Sequence, residues 1–275
     1  MALPDYLPML VIGLYFLGTG LYVLGSALRK EKLKQAALLL AGGAFALHGA
    51  DIVSQLAAGT AALTSARFLF CLLGFGILVI FLFLWWRLKL RFLAVVALPL
   101  ALLFYATANA ATGTNASLPP MLSGLFFLLH IGTLFASMAL LAMGFGAGLA
   151  FLHLEKRIKT KTGLKQFQKD MPSLDTFDTV NHWVVVLGFP LYSLGLVSGF
   201  VWAWLASKRV FSFDPKEILA MVVLCLFASL FHMRLACGWR GRKPAVMTIV
   251  VFLLTVTSML GINFLVSTTF HGFKP

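Results

Sequence analysis

Four histidines interrupt stretches of sequence that are otherwise almost wholly apolar: His48, His130, His182 and His232. An ionisable side chain inside hydrocarbon is costly and needs a partner. Hydrogen bonds can satisfy a lone buried imidazole, but four at matching levels fit a second chemistry. Two neutral imidazoles facing each other from neighbouring helices grip the iron of a b-type haem from both sides. The porphyrin then supplies apolar surface, and its propionates seek basic groups at the membrane edge. Asp51, one turn after His48, is placed either to fix that ring by a hydrogen bond or to face water. A dizinc or copper site would want more carboxylate, thiolate or clustered imidazole than these stretches contain. The remaining histidines are peripheral: His153 sits beside Glu155 and Lys156, and His271 lies in the C-terminal tail.

The elements that must position these rings are membrane spans. Of 275 residues, 60% are hydrophobic and 11% charged, with mean hydropathy +0.95. One water-soluble core could not hide so much apolar surface. A spanning helix needs about 20 mainly apolar residues, and by that measure the chain divides into runs of roughly 6–27, 36–58, 67–86, 92–110, 121–152, 179–206, 217–237 and 245–267. The expected fold is an all-α integral membrane protein, a bundle of eight transmembrane helices in a single domain spanning 1–275. The opening run has no basic segment before it and reads as a retained span rather than a signal peptide.

The charges set the orientation. Alternate loops carry Arg29, Lys30, Lys32 and Lys34; Arg87, Lys89 and Arg91; Lys156, Arg157, Lys159, Lys161, Lys165 and Lys169; and Arg234, Arg240, Arg242 and Lys243. Only Arg67, Lys208, Arg209, Lys216 and Lys274 fall on the other side. The positive-inside rule makes the first set cytoplasmic and places both termini outside, in the periplasm of a bacterial cytoplasmic membrane. The net charge of +13 is thereby a matter of topology and not of nucleic-acid binding. The segment at about 155–178 is then a basic cytoplasmic connector.

With ~1.5 Å rise per residue, His48 and His130 both lie about 14 Å below the external surface, and His182 and His232 lie within about two turns of the inner face. The spacing therefore predicts an outer pair, His48 with His130, and an inner pair, His182 with His232. Arg67, Lys208 and Arg209 are outer candidates for propionates, and Arg234, Arg240 and Lys156 inner ones. Cys71, Cys225 and Cys237 form neither CxxC nor CxxCH, so thiol redox chemistry and covalent haem attachment have no support. The chain also lacks a GxxxxGK[ST] phosphate loop. Gly42 and Gly43, Gly144, Gly146 and Gly148, and the Gly195–Gly199 GxxxG read as helix-packing positions.

Four segments in the C-terminal half carry a recognisable pattern. They are GFPLYSLGLVSGFVWA from Gly188, FSFDPKE from Phe211, FHMRLACGWRGRKPA from Phe231 and GINFLVSTTFHGF from Gly261, with LLHIGTLFASMALLAM from Leu128 extending them weakly upstream. Together they resemble the cytochrome c assembly family of haem-handling membrane proteins, of the CcsA, ResC and CcmC types, and in length most resemble its HemX branch. The resemblance implies that His232 is the family's membrane-embedded histidine, that His130 begins the span before the external aromatic loop, and that His271 is the external histidine after the last span. It also implies an alternative outer pair, His130 with His271. Depth favours His48 with His130. In the WGxxWxWDPKE motif the chain departs from the family, having Ser207 and Lys208 for Trp-Gly and Phe211 and Phe213 for the later tryptophans.

The resulting expectation is a membrane protein that binds one or two b-type haems and handles haem for cytochrome c maturation, without catalysing a covalent reaction. Its expected partners are haem, the bilayer and cytochrome c maturation proteins. Two alternatives stay open: a diheme cytochrome b relaying electrons from quinol, and a membrane regulator of glutamyl-tRNA reductase.

Overall fold

A computed structural model describes residues 3–58, 65–110, 127–161, 172–208, 211, 213 and 215–261. Arg209 and His271 lie outside them. All regular structure among the described residues is helical, and eight helices are long and apolar enough to cross a membrane. The chain is a multi-pass membrane protein. The helices are α1 Leu3–Ala27, α2 Glu31–Ala57, α3 Ala66–Leu88, α4 Ala94–Ala110, α5 Thr133–Lys159, α6 Leu174–Ser207, α7 Pro215–Leu235 and α8 Arg242–Val256. A 3-10 turn, Arg91–Leu93, leads into α4, and π-turns at Phe127–Gly132 and Thr257–Gly261 open α5 and close α8.

The helices outrun their apolar stretches at polar ends. Helix α2 starts at Glu31, where the first turn includes an ion pair from Lys34 to Glu31 at 2.6 Å. Helix α5 continues to Lys159 through a Lys159–Glu155 pair at 2.7 Å, four residues apart on one face. Helix α6 begins at Leu174, its N-cap Ser173 accepting from the Thr176 amide. Part of the expected connector at 155–178 is thus helix, and 162–171 lie outside the described residues.

The sequence suggests one domain; the helices fall into two compact units, α1–α4 and α5–α8. In the first unit α1 packs along α2, α3 along α4, and α4 returns to α1, so the four close into a ring whose α2–α3 seam is the loosest. In the second, α5 packs extensively on α6 and also on α8, while α7 lies against α6 and α8. Small residues permit the close approach of α5 to α8. A Cβ on Gly148 would lie 3.0 Å from the Ala245 carbonyl oxygen, and one on Gly144 would lie 2.9 Å from Thr248 Cγ2.

Candidate functional site

The first unit encloses His48 completely, at 0% exposure. Its ring sits among Tyr15 of α1, Phe75 of α3 and Tyr105 of α4, with centroids at 5.9, 5.6 and 4.4 Å. Both ring nitrogens are engaged. Nε2 lies 3.0 Å from the Cys71 carbonyl oxygen, which can only accept, so Nε2 carries the proton. Nδ1 then accepts from the Tyr15 hydroxyl at 3.1 Å. In this arrangement His48 has no lone pair to give iron.

Asp51 neither bonds His48 nor faces water. Buried to 3% exposure, it accepts from Arg67 Nη2 at 3.1 Å and from the Tyr105 hydroxyl at 2.9 Å. Arg67, read from sequence as a propionate partner, is thus tied to a carboxylate of its own unit. Tyr15 and Tyr105, which complete this polar core, carry no sequence signal beyond aromatic residues in apolar runs.

In the second unit His130 belongs to the π-turn ahead of α5. Its Nδ1 lies 2.7 Å from the Gly195 carbonyl oxygen. Nδ1 therefore donates, which in a neutral imidazole leaves Nε2 as the nitrogen with the lone pair. A backbone carbonyl holding one ring nitrogen is the usual way a metal-ligating imidazole is oriented. The GxxxG of α6 is what admits the ring. A Cβ on Gly199 would fall 2.5 Å from His130 Cε1 and 2.7 Å from Nδ1, and one on Gly195 would fall 2.6 Å from Leu134 Cγ. These glycines seat the π-turn as well as packing two helices. Single π-turns within helices cluster at functional sites. One residue beyond Gly199, Phe200 meets Phe211 at 6.1 Å, and Phe211 meets Phe213 edge-on at 4.8 Å. Phe213 is 77% exposed, with a positive φ of 57° that few aromatic residues adopt. Lys208 lies over the Trp204 ring at 4.9 Å. An apolar edge thus remains where the family motif has tryptophans.

Toward the other end of the unit, α7 turns Arg234 rather than His232 toward α6. Arg234 is buried, and its Nη1 and Nη2 meet the two Asp178 carboxylate oxygens at 2.8 Å each. Nη2 also reaches the Asp178 carbonyl at 2.7 Å, and the Gly241 amide donates to Asp178 Oδ1 at 2.8 Å. Arg234 Nε points at His182 Nδ1 across 3.4 Å, a long contact. His232 is exposed. At about 100° per residue, positions two apart on a helix face roughly opposite ways, so the face that presents Arg234 turns His232 aside. The expected pair of His182 with His232 is replaced here by His182 with Arg234 and Asp178.

Three of the four intramembrane histidines thus occupy distinct settings: a satisfied core group, an imidazole oriented by a carbonyl, and a neighbour of a buried ion pair. The fourth, His232, is exposed. Of the donor sets present, His130 fits an axial haem ligand, whereas His48 has both ring nitrogens engaged and His182 faces the Arg234 guanidinium across a long contact. Among the described residues no group of three or more His, Cys, Asp or Glu side chains could hold a metal ion by itself.

Residues 61–270 match the model of a family described as Cytochrome C assembly protein. Relatives named cytochrome c biogenesis protein CcsA include those of Heterosigma akashiwo, 30% identical over 235 residues (73% of this chain, 72% of the relative), and Pyropia yezoensis, 27% identical over 231 residues (70% and 72%). That of Prochlorococcus marinus is 30% identical over 192 residues, covering 62% of each chain.

Proposed function

The chain belongs to the cytochrome c assembly protein family, and on that premise we propose that it binds haem b in its second unit, with His130 Nε2 as one axial ligand, and handles haem for cytochrome c maturation. The observation that carries this reading is the Gly195 carbonyl holding His130 Nδ1 at 2.7 Å in a seat only glycine at 199 allows. A bound haem supplies an iron with two axial positions, a flat apolar macrocycle and two propionates. The resemblance implies His271 as the second ligand, and the placement of basic residues at the outer edge makes Arg209 a candidate propionate partner. Phe211 and Phe213 offer the macrocycle an apolar edge, and the Lys208 ammonium offers charge beside it. By the bias of basic loops, the Arg234 end of the unit faces the cytoplasm and the Phe213 end faces outward. Gly195 lies about 25 Å along α6 from Asp178, so His130 is well removed from the buried ion pair.

The test is the absorption spectrum of the full chain purified from haem-replete cells. A Soret band and a haem b pyridine haemochrome at a level comparable to the protein are expected, and a colourless protein would reject the reading. In the native host, deletion is expected to remove c-type cytochromes while b-type cytochromes persist.

A contrasting variant separates the two units. His48→Leu breaks the bonds to Tyr15 and Cys71 and is expected to cost about 1–3 kcal/mol of stability by leaving a buried hydroxyl without its acceptor. Haem content should be unchanged. Thermal melting in detergent alongside a haemochrome assay reads both quantities, and loss of haem in a still-folded His48→Leu would reinstate His48 as a ligand.

A further inference from the structure

We propose that the first unit carries a binding site for one anionic phospholipid, with an acyl chain in the groove between α2 and α3 and the phosphate at Arg91, beside the groove wall at Trp85. This inference is independent of the haem reading. The groove is an open cavity of about 120 Å³ along the loosest seam of the unit. Gly42 and Phe45 of α2 form one wall, Leu78, Phe81 and Trp85 of α3 the other, and Leu98 of α4 the floor. Phe45, stacked on Phe75 at 4.4 Å, stands at the deep end. Trp85 is three residues from the end of α3 and Phe45 fourteen from the start of α2, so the groove runs from about 5 to about 20 Å below that end of the unit. This is the depth range of the upper part of an acyl chain.

The charge at the mouth selects among lipids. Arg91 holds its guanidinium 5.3 Å from the ring centroid of Trp85, a wall residue, so this cation is fixed beside the groove, while Arg87 lies over Trp86 at 5.6 Å and adds charge at the same end of α3. Arg87, Lys89 and Arg91 are exposed there, as are Lys30 and Lys32. Among the described residues the sole carboxylate at this end is Glu31, which is paired with Lys34. Basic side chains at the interface attract anionic headgroups. No lining side chain offers a nitrogen lone pair or sulfur to a metal, which argues against a porphyrin, and a neutral lipid or quinone would have no use for the cations.

The test reconstitutes the full chain in nanodiscs containing either acyl-brominated phosphatidylglycerol or acyl-brominated phosphatidylcholine and compares quenching of tryptophan fluorescence. Stronger quenching by the anionic lipid is expected, and Trp85→Phe should remove most of that excess. Gly42→Leu fills the groove from a position where an added Cβ meets nothing within 4 Å, and the excess is expected to disappear in protein whose helical content, read by circular dichroism, matches wild type. Arg91→Gln should abolish it as well. Equal quenching by the two lipids, or an excess that survives Gly42→Leu, would overturn the proposal. So would co-purification of a neutral lipid or quinone that wild type retains and Gly42→Leu loses.

Discussion

Gly199→Ala is expected to strip haem from the protein nearly as completely as removal of His130 itself, although the variant keeps every candidate ligand. The added methyl would sit 2.5 Å from His130 Cε1 and 2.7 Å from Nδ1, far inside van der Waals contact. Backbone fixes the methyl, so the imidazole is the group that must move. Its displacement breaks the Nδ1 bond to the Gly195 carbonyl and misdirects Nε2, and ligation tolerates little misorientation. A fall in haem per chain of roughly ten-fold or more is expected, the equivalent of about 1.4 kcal/mol or more in haem affinity. Gly20→Ala, where an added Cβ meets nothing within 4 Å, is the matched control and should retain haem. Haem per chain from pyridine haemochromes, with helical content checked by circular dichroism, decides the matter. Wild-type haem in folded Gly199→Ala would separate the glycine seat from haem binding.

Arg234→Met should produce the largest loss of stability. It removes three contacts to Asp178 at 2.7–2.8 Å and leaves the carboxylate, in a largely buried position, relying on the Gly241 amide. Breaking one side of a buried ion pair costs about 3–5 kcal/mol, because the other charge stays in place without compensation. Replacing both residues, Asp178→Leu with Arg234→Met, should cost less than the sum of the single changes, since no charge is then stranded. Melting temperatures in detergent across the double-mutant cycle measure the coupling. Strictly additive losses would mean that Arg234 and Asp178 act independently.

The eight spans were legible because apolar length and loop charge are properties of composition, which any helical packing must respect. Helix ends were less so, since Glu31, Glu155 and Ser173 extend helices by local pairing and capping beyond the hydrophobic stretches. Depth brought His48 and His130 to one level, but depth says nothing of direction around a helix axis. That direction gives His48 to Tyr15 and the Cys71 carbonyl, while His130 goes to α6. At the other end the helical period did contain a warning. His232 and Arg234, two residues apart, cannot both face α6, and Asp178 precedes His182 by one turn on the same face. The preference for an imidazole pair passed over the ion pair that this spacing favours. The role of Gly199 was half legible: GxxxG announces a close approach, and only the three-dimensional arrangement shows that a histidine ring fills it.

On the proposed function, His130 supplies a nitrogen to haem iron. The most direct measurement is the haem content and optical spectrum of His130→Gly, prepared with and without imidazole in the medium. Little haem is expected without imidazole, with recovery of a low-spin spectrum when imidazole enters the vacated position. Full haem content and an unaltered spectrum in His130→Gly without added imidazole would contradict it.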